Sequence, residues 1–349
     1  AIVRRAAKRA ARTAHRLVVC SDVITHLIPA TQDRPITAEP IAAFFPRSRE
    51  NPTAPDLTGE ALNADPKLKL PEGIEGNRME FDTFAKRERD GWADPDIAEG
   101  YVQGFGPVVD AACDAHLTCL PAQGKILDLC CGQGTLTAQL SDTGREVHGL
   151  DFSPEMVARA RAAAPEALIT LGDAQDLPFD DASFDAVVNN FGMMHIPDQP
   201  KALREIARVL KPGGVFSMTS WVGPEASDAF RLIFTAARAN MPDGVTPSPQ
   251  PDLFIYGRKD DVLPMFAASG LHAKRHTMMP LAWHIGTPDA LFRIFLDGTV
   301  GARMTLMALD PAGRDAAADS VAQTIRRDYR DNDGYRVPAP VAHIVAQPA

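Results

Sequence analysis

Short apolar segments alternate with alanine-rich, helix-patterned segments between residues 121 and 221. A strand followed by a helix and then by another strand is typical of a parallel sheet with right-handed crossovers. The predicted strands are 125–130, 146–151, 167–173, 184–192 and 215–221. The sequence therefore predicts an α/β fold in this part of the chain.

Helix start and stop signals support this assignment. Ser153 can cap the free N–H groups of a helix, and Pro154 suits the first helical position, where no N–H donor is needed. A helix over 202–210 is predicted to end at 211–214, where glycine permits a left-handed terminus. Before the sheet, apolar residues recur at helical spacing over 97–117, which predicts one helix there.

Glycines and carboxylates stand at the carboxyl ends of three predicted strands, the edge at which open parallel sheets bind ligands. Gly132 and Gly134 follow the first strand and open a helix, so that backbone amides can face a ligand. Asp151 ends the second strand, where a carboxylate can accept both ribose hydroxyl groups. Asp173 follows the third strand, where it can accept from the amine of a base. This arrangement predicts a nucleoside site.

A dinucleotide site matches the residues less well. A full glycine motif leaves bare backbone beside a pyrophosphate, whereas Cys130 and Cys131 occupy that position here. Asp128 would repel a phosphate and would favour a cationic group, such as a nucleoside that carries an amino acid. A nicotinamide-dependent oxidoreductase of Rossmann type is the alternative.

The segment 126–214 resembles the class I S-adenosylmethionine-dependent methyltransferases of domain type 11, the group that includes the quinone-biosynthesis C-methyltransferases. The motifs that carry the resemblance are ILDLCCGQG, GLDFSPEMVARAR, LITLGDAQDLPFDDASFDAVVNNFGMMHIPD and LREIARVLKPGGVFSMTSW. The resemblance implies a Rossmann-like fold: a seven-stranded, mostly parallel sheet with an antiparallel last strand, helices on both faces and helical cap insertions. It implies transfer of the methyl group of S-adenosylmethionine to carbon or oxygen of a small, apolar acceptor. A non-catalytic partner protein that binds S-adenosylmethionine is a second alternative.

The resemblance also implies the contacts of the cofactor. Asp128 would lie near the methionyl amino group, Asp151 would bind the ribose, Asp173 the adenine amine, and the carbonyl of Asn190 the methionyl ammonium. Cys130 replaces the first glycine of the usual motif and would reshape the pocket. Its thiol is expected to be inert packing, and a redox or catalytic role is the alternative. The full set of predicted cofactor-binding residues is Asp128, Cys130, Gly132, Gly134, Asp151, Phe152, Asp173, Ala174 and Asn190.

His195 is the candidate catalytic residue. It follows the fourth predicted strand and falls where plant-type O-methyltransferases carry their catalytic histidine, so it could take a proton from the acceptor. The alternative is a loop or pocket residue with no role in proton transfer. The predicted acceptor pocket consists of Tyr101, Phe105, Met194 and Trp221, for which packing in an ordinary core is the alternative.

Composition and charge limit the partners. The chain has 349 residues, 45% of them hydrophobic, and a formal net charge of −9, which disfavours nucleic acid because phosphate binding requires a positive surface. Its apolar runs are shorter than the ~18 to 20 residues of a membrane helix, which predicts a soluble, cytoplasmic protein without a membrane span. The five cysteines lack metal-site spacing, so no metal is expected.

Composition separates the first 78 residues from the rest of the chain. Basic residues and then prolines mark residues 1–78, which are predicted to be a disordered extension, a transit segment or upstream sequence included through a misplaced start assignment. Organellar import through residues 1–20 is the alternative localisation. Residues 79–349 are the predicted methyltransferase domain, with a nucleotide-binding core at 121–221. The segments 222–270 and 284–335 are predicted to form a substrate cap, whose apolar stripe could instead pack on the domain or on a second subunit of a homodimer.

Overall fold

The computed structural model describes residues 78–245 and 250–349. The predicted extension therefore lies outside the described residues, apart from residue 78. The described helices before the sheet are α1 (Arg78–Trp92), α2 (Pro95–Gly104), α3 (Gly106–Asp110) and α4 (Cys113–Leu117). The prediction of one helix over 97–117 is thus wrong: three short helices cover this range. Pro107 has no N–H group to continue the hydrogen bonds of α2, and a turn at 111–112 separates α3 from α4.

Ten strands and eight further α-helices follow in the described part of the chain. The strands are β1 (Lys125–Leu129), β2 (Glu146–Asp151), β3 (Leu168–Leu171), β4 (Phe184–Asn190), β5 (Leu210–Trp221), β6 (Leu271–Met279), β7 (Ala282–Ile285), β8 (Arg330–Asp331), β9 (Gly334–Pro338) and β10 (Val341–Pro348). The helices are α5 (Thr135–Ser141), α6 (Pro154–Ala163), α7 (Gln199–Val209), α8 (Asp228–Ala239), α9 (Lys259–Ala268), α10 (Ala290–Asp297), α11 (Val300–Met307) and α12 (Pro311–Asp328).

The main sheet has seven strands in the order β3-β2-β1-β4-β5-β10-β6. Strands β1 to β5 pair in parallel, and β10 runs antiparallel to both β5 and β6. The predicted fold class, a mostly parallel Rossmann-like sheet with an antiparallel last strand, is confirmed. Successive side chains of β1 point to opposite faces of the sheet, and both faces are covered by helices. Leu127 packs with α7 and α9, whereas Ile126 packs with α4 and α5.

The start of α6 agrees with its predicted cap, whereas the end of α7 differs from its predicted terminus. Ser153 caps α6 as predicted, since its hydroxyl accepts a hydrogen bond of 3.2 Å from the amide of Met156. The predicted glycine terminus after 202–210 is wrong, because β5 begins at Leu210 directly after α7. Gly213 does have a positive φ of 76°, but it lies within β5, where the register with β4 shifts.

A second layer of structure lies beyond the main sheet. Helices α8, α10, α11 and α12 share one apolar cluster with α2 and α3, and a small antiparallel sheet in the order β7-β9-β8 adjoins them. An added Cβ at Gly100 would lie 2.4 Å from the carbonyl oxygen of Asp297, so glycine permits α2 and α10 to approach closely. This layer contains most of the predicted cap segment 284–335.

The other predicted cap segment, 222–270, is divided by the structure. Helix α8 packs in the second layer, whereas Val262, Met265 and Phe266 of α9 are buried against the main sheet. The prediction is therefore wrong for α9, whose apolar residues complete one face of the sheet. Within residues 78–245 and 250–349, none of the helices is long and apolar enough to span a membrane.

Candidate active site

A cleft lies at the carboxyl ends of β1, β2 and β3, with α1 on its other side. Its walls combine apolar side chains with the ends of the loops that follow these strands. The lining residues are Ala85, Glu88, Arg89, Cys130, Leu150, Phe152, Leu171, Gly172, Asp173, Ala174, Gln175, His195, Ile196 and Pro197. The structure thus brings five of the sequence-predicted residues together in one cleft: Cys130, Phe152, Asp173, Ala174 and His195.

The turn after β1 is held by Asp151. The amide of Gly132 donates a hydrogen bond of 2.9 Å to Oδ2 of Asp151, and the amide of Ser153 donates one of 2.9 Å to Oδ1. Asp151 is only 5% exposed, and burial raises the pKa of its carboxyl group. The carboxylate therefore fixes the glycine turn, a second task beside the ribose contact that was predicted for it.

The two glycines of the turn differ in what surrounds them. Both have positive φ, 53° at Gly132 and 86° at Gly134. No atom lies within 4 Å of a Cβ added to Gly132, whereas one added to Gly134 would lie 2.7 Å from the Cα of Ala160. Gly134 is therefore required for the packing of α5 against α6, and the open side of the turn is at Gly132.

Asp128 lies below the turn, within the sheet. It is 1% exposed, and its Oδ2 accepts a hydrogen bond of 2.6 Å from the hydroxyl of Thr137. Burial raises the pKa of Asp128 to about 7, and the hydroxyl of Thr137 opposes this shift. None of the Lys or Arg side chains of the described residues forms an ion pair with Asp128 or Asp151.

Asp173 and Ala174 form the third side of the cleft. Asp173 is exposed and accepts hydrogen bonds from the amide and the side chain of Gln175 at 2.8 Å and 3.0 Å. Ala174 is 5% exposed. An exposed carboxylate beside a buried small residue can accept from the edge of a flat ring that lies in the cleft.

Cys130 has a left-handed backbone, with φ 57°, which explains why a glycine is usual at this position. A Cβ added to Gly192 would lie 2.4 Å from the Cβ of Cys130, so the two loops touch. Burial raises the pKa of the Cys130 thiol well above its usual value, and Asp151 and Asp128 add to the effect. This environment disfavours a thiolate and hence the alternative of a reactive thiol.

The turn after β4 directs three successive side chains to different places. Met193 packs below the sheet with Phe216, Met194 packs in the second layer with Trp221, and His195 lines the cleft. The one-turn 3-10 helix Met193–His195 produces this divergence, because its residues project about a third of a turn apart. His195 therefore lies where the cleft and the second layer meet.

A carboxylate that the sequence interpretation missed binds His195. Oε2 of Glu88, on α1, lies 2.8 Å from Nδ1 of His195 and 3.0 Å from Nε1 of Trp92. Glu88 is 3% exposed. Its signal in the sequence is spacing: Phe84, Glu88 and Trp92 recur at four-residue intervals and so share one face of a helix.

Asn190, at the end of β4, is held by a second set of hydrogen bonds. Its Oδ1 accepts from the hydroxyl of Thr219 at 2.6 Å and lies 3.2 Å from Nε2 of His116. Nδ1 of His116 lies 2.8 Å from the hydroxyl of Ser217, which in turn lies 3.0 Å from Nε2 of His343. The side chain of Asn190 therefore points away from the cleft, towards α3 and α4, and the predicted role of its carbonyl oxygen stays a prediction.

The predicted acceptor-pocket residues come together, but as part of an apolar cluster. Phe105, Met194 and Trp221 are 2%, 4% and 6% exposed. Tyr101 is partly buried, and its ring stacks on Phe105 at 5.8 Å between centroids. Trp283, which the sequence interpretation did not single out, stacks on Trp221 at 5.3 Å. The packing alternative thus accounts for the positions of these side chains, and their contact with an acceptor stays a prediction.

Comparison with known proteins identifies the family. Residues 127–218 match the family model described as a methyltransferase domain. The chain is 41% identical over 113 residues to the demethylmenaquinone methyltransferase of Beutenbergia cavernae, a match that covers 31% of this chain and 47% of that protein. It is 36% identical over 167 residues to the demethylmenaquinone methyltransferase of Streptomyces griseus, covering 46% of this chain and 68% of that protein.

Among solved structures, the YcgJ protein of Bacillus subtilis aligns with a TM-score of 0.44 and 21% identity, over 70% of this chain and 99% of that one. The chain spans about half the length of the first curated relatives that it matches, 47% to 55%. The seven-stranded sheet and the matched domain define a methyltransferase of the Rossmann-like class. The chain belongs to the class I S-adenosylmethionine-dependent methyltransferases.

Proposed function

We propose that this protein transfers the methyl group of S-adenosylmethionine to a carbon or oxygen atom of a small, apolar acceptor that carries an acidic hydroxyl group. The family match supports methyl transfer over the nicotinamide-dependent alternative. Several relatives are named demethylmenaquinone methyltransferases, and a phenol or quinol ring would fit that chemistry.

One observation carries the proposal: two buried carboxylates, Asp128 and Asp151, flank the glycine turn, and no Lys or Arg side chain of the described residues forms an ion pair with either of them. Burial raises the pKa of Asp151, and two backbone amides and His195 partly oppose this shift, so the need for a compensating cation is greatest at Asp128. A buried carboxylate is ionised at low cost only when a cation or several donors compensate for lost hydration. S-adenosylmethionine has a sulfonium and an ammonium group, whereas a dinucleotide would bring phosphates to the same place. The residues present therefore fit this cofactor.

Two further atoms support the fit. Oδ1 of Asp110 and Oε1 of Gln133 are buried acceptors without a hydrogen-bond partner among the described residues. Gln133 belongs to the glycine turn, and its amide group donates to Thr135 at 3.1 Å. Asp110 also contacts Thr135, so both acceptors lie near the start of α5. An ammonium group, with three donors, is the complement of such acceptors.

In this proposal each part of the cofactor and the transferred proton has its own residue. Asp151 would hold the ribose, Asp173 and Ala174 the adenine, and Asp128 the methionyl end. When bound, the cofactor supplies a methyl group on a positively charged sulfur, and the transfer removes that charge. His195 would accept the hydroxyl proton of the acceptor through Nε2, because Nδ1 is already bound to Glu88. The second layer would exclude water from the reacting atoms.

The test begins with binding. Calorimetric titration of the purified protein with S-adenosylmethionine and, separately, with NADH should show binding of the first and not of the second. Binding of NADH alone would overturn the proposal. Incubation with a cell extract and S-adenosylmethionine should then yield metabolites heavier by one CH2 group, as detected by mass spectrometry. Product that forms only when the protein is added, and not in extract with S-adenosylmethionine alone, shows that the protein is catalytic.

The variant His195→Ala separates the remaining alternatives. We expect it to bind S-adenosylmethionine like the wild type and to lose at least about a hundredfold in kcat, the usual contribution of a general base. An unchanged rate would remove His195 from proton transfer. If the wild-type protein binds S-adenosylmethionine but methylates no metabolite in the extract, the non-catalytic alternative is supported.

A further inference from the structure

The environment of Glu88 is unusual for an acidic residue on a surface helix. It is 3% exposed, and one of its oxygens, Oε2, lies within hydrogen-bond distance of both Nε1 of Trp92 and Nδ1 of His195. The nearest cationic side chain in the described structure is that of Arg87, whose NH2 lies 3.7 Å from Oε1. Burial of a carboxylate is costly, so an acid retained here is expected to serve the groups that it contacts.

The donors and acceptors of this group can be assigned from chemistry alone. The indole Nε1 of Trp92 is a donor only, and an ionised carboxylate is an acceptor only. Nδ1 of His195 must then carry a hydrogen in order to bind Oε2. In a neutral imidazole the hydrogen on Nδ1 leaves Nε2 with a lone pair. No hydrogen bond to Nε2 of His195 is formed within the described part of the chain.

We propose that Glu88 is a positioning residue that holds His195 in the Nδ1-protonated tautomer and so presents Nε2 to the hydroxyl group of the acceptor. This inference rests on the proposed function. In the reaction, Nε2 takes the hydroxyl proton while the acceptor oxygen keeps the electron pair. The resulting imidazolium is paired with the carboxylate of Glu88, and its proton passes to water after the product leaves.

Two contacts hold the pair in place. The ring of Trp92 meets that of His195 edge to face, at 5.2 Å between centroids. The carbonyl oxygen of Trp92 accepts a hydrogen bond of 2.6 Å from the hydroxyl of Ser153, the residue that caps α6. The end of α1 is thus tied to the loop after β2, the strand that ends at Asp151. Glu88 lies outside the matched domain, residues 127–218, so the family match does not assign it a role.

The tautomer can be measured without knowledge of the acceptor. Protein labelled with ¹⁵N-histidine is examined by long-range ¹⁵N–¹H correlation at alkaline pH, with His195 assigned by loss of its signals in His195→Gln. We expect the Nδ1-protonated tautomer in the wild type and a mixture of tautomers in Glu88→Leu, which lacks any acceptor. An Nε2-protonated His195 in the wild type would overturn the proposal. So would an unchanged tautomer in Glu88→Leu.

Two variants serve as controls. Trp92→Phe removes the other donor to the same oxygen and should leave the tautomer of His195 unchanged. Glu88→Gln keeps an acceptor but removes the charge, so it should retain the Nδ1-protonated tautomer even if Glu88→Leu does not fold. A loss of that tautomer in Trp92→Phe would show that packing of α1, rather than the carboxylate, sets it.

Kinetics complete the test. With the acceptor found in the extract, Glu88→Gln should lower kcat by about ten- to a hundredfold, because a neutral amide does not pair with the imidazolium. The KM for the acceptor and the Kd for S-adenosylmethionine should stay within about twofold. A rise in Kd with unchanged kcat would overturn the role of Glu88 in the reaction. If the wild type binds no S-adenosylmethionine, the proposed function itself fails. The tautomer measurement does not depend on the cofactor, so it tests the role of Glu88 separately.

Discussion

The hydroxyl group of Thr137 donates a hydrogen bond of 2.6 Å to Oδ2 of Asp128. This contact joins the first turn of α5 to the end of β1, directly below the glycine turn. Burial nevertheless outweighs the hydrogen bond, so the pKa of Asp128 is raised to about 7. In the cofactor-free protein, this carboxyl group is therefore expected to titrate near neutral pH rather than in the acidic range usual for a carboxyl group.

We expect the affinity for S-adenosylmethionine to depend on pH through Asp128. The cationic cofactor favours the ionised carboxylate, and the raised pKa means that the ionised form is lost as the pH falls through about 7. Between pH 8 and pH 6 the affinity should fall about tenfold, as expected for one proton that must leave before binding. Calorimetric titrations at several pH values measure this slope.

Two variants test the assignment to Asp128. Asp128→Asn should bind more weakly, with an affinity that no longer changes between pH 6 and pH 8. Thr137→Val removes the hydrogen bond that lowers the pKa, so it should move the midpoint to higher pH. A wild-type affinity that is independent of pH over this range would contradict the prediction.

Asp151 and Asp173 should contribute unequally to cofactor affinity. Asp151 is buried and binds two backbone amides, so Asp151→Asn disturbs the glycine turn as well as the predicted ribose contact. We expect a loss of more than tenfold, about 1.5 to 3 kcal/mol. Asp173→Asn changes an exposed carboxylate and should cost only a few-fold. Asp180→Asn, exposed and outside the cleft, is the control for titration with S-adenosylmethionine; the reverse order of losses would contradict the assignment.

The topology explains why much of the site could be predicted. Asp151 ends β2 and Asp173 follows the end of β3, and the carboxyl ends of neighbouring parallel strands meet at one edge of the sheet. The identity of each strand follows from local apolar patterns, so the positions of these carboxylates needed no knowledge of distant contacts. The same reasoning placed His195 after β4.

The contacts that the sequence did not reveal are distant ones. Glu88 and His195 are separated by 107 positions, and no local pattern shows which face of α1 covers the cleft. The apolar residues of α9 are equally compatible with a cap or with the sheet, and only packing decides between them. Periodicity over 97–117 was real, but Pro107 and the turn at 111–112 divide it into three helices.

The buried histidines predict a loss of stability in acid. Burial lowers the pKa of His116 to about 3 and that of His343 to about 4. An unfolded chain protonates its histidines near pH 6.5, so below this pH the unfolded state binds protons that the folded state cannot. Each histidine should therefore reduce the free energy of unfolding by about 1.4 kcal/mol per pH unit as the pH falls from about 6 to 5.

Urea denaturation at pH 7.5, 6 and 5 (roughly the window set by these pKa values) measures this slope. His343→Gln should be less stable than the wild type at pH 7.5, because its hydrogen bond to Ser217 changes, but should lose less stability on acidification. His284→Gln, which alters an exposed histidine of β7, should keep the wild-type slope. Equal slopes for all three proteins would show that His343 is not the group responsible.

Gly192 and Cys130 should be coupled in stability. A Cβ at position 192 would lie 2.4 Å from the Cβ of Cys130 and 2.7 Å from Nδ2 of Asn189, so Gly192→Ala should cost about 1 to 3 kcal/mol through overpacking. Cys130→Gly removes the first clash and suits the left-handed backbone, with φ 57°. In that background Gly192→Ala should cost about 1 kcal/mol less, with the remainder due to Asn189.

A double-mutant cycle by urea denaturation measures the difference. Gly286→Ala, at a glycine with no atom within 4 Å of an added Cβ, is the control and should be equally mild in both backgrounds. Strict additivity of Cys130→Gly and Gly192→Ala would contradict the contact between the two loops.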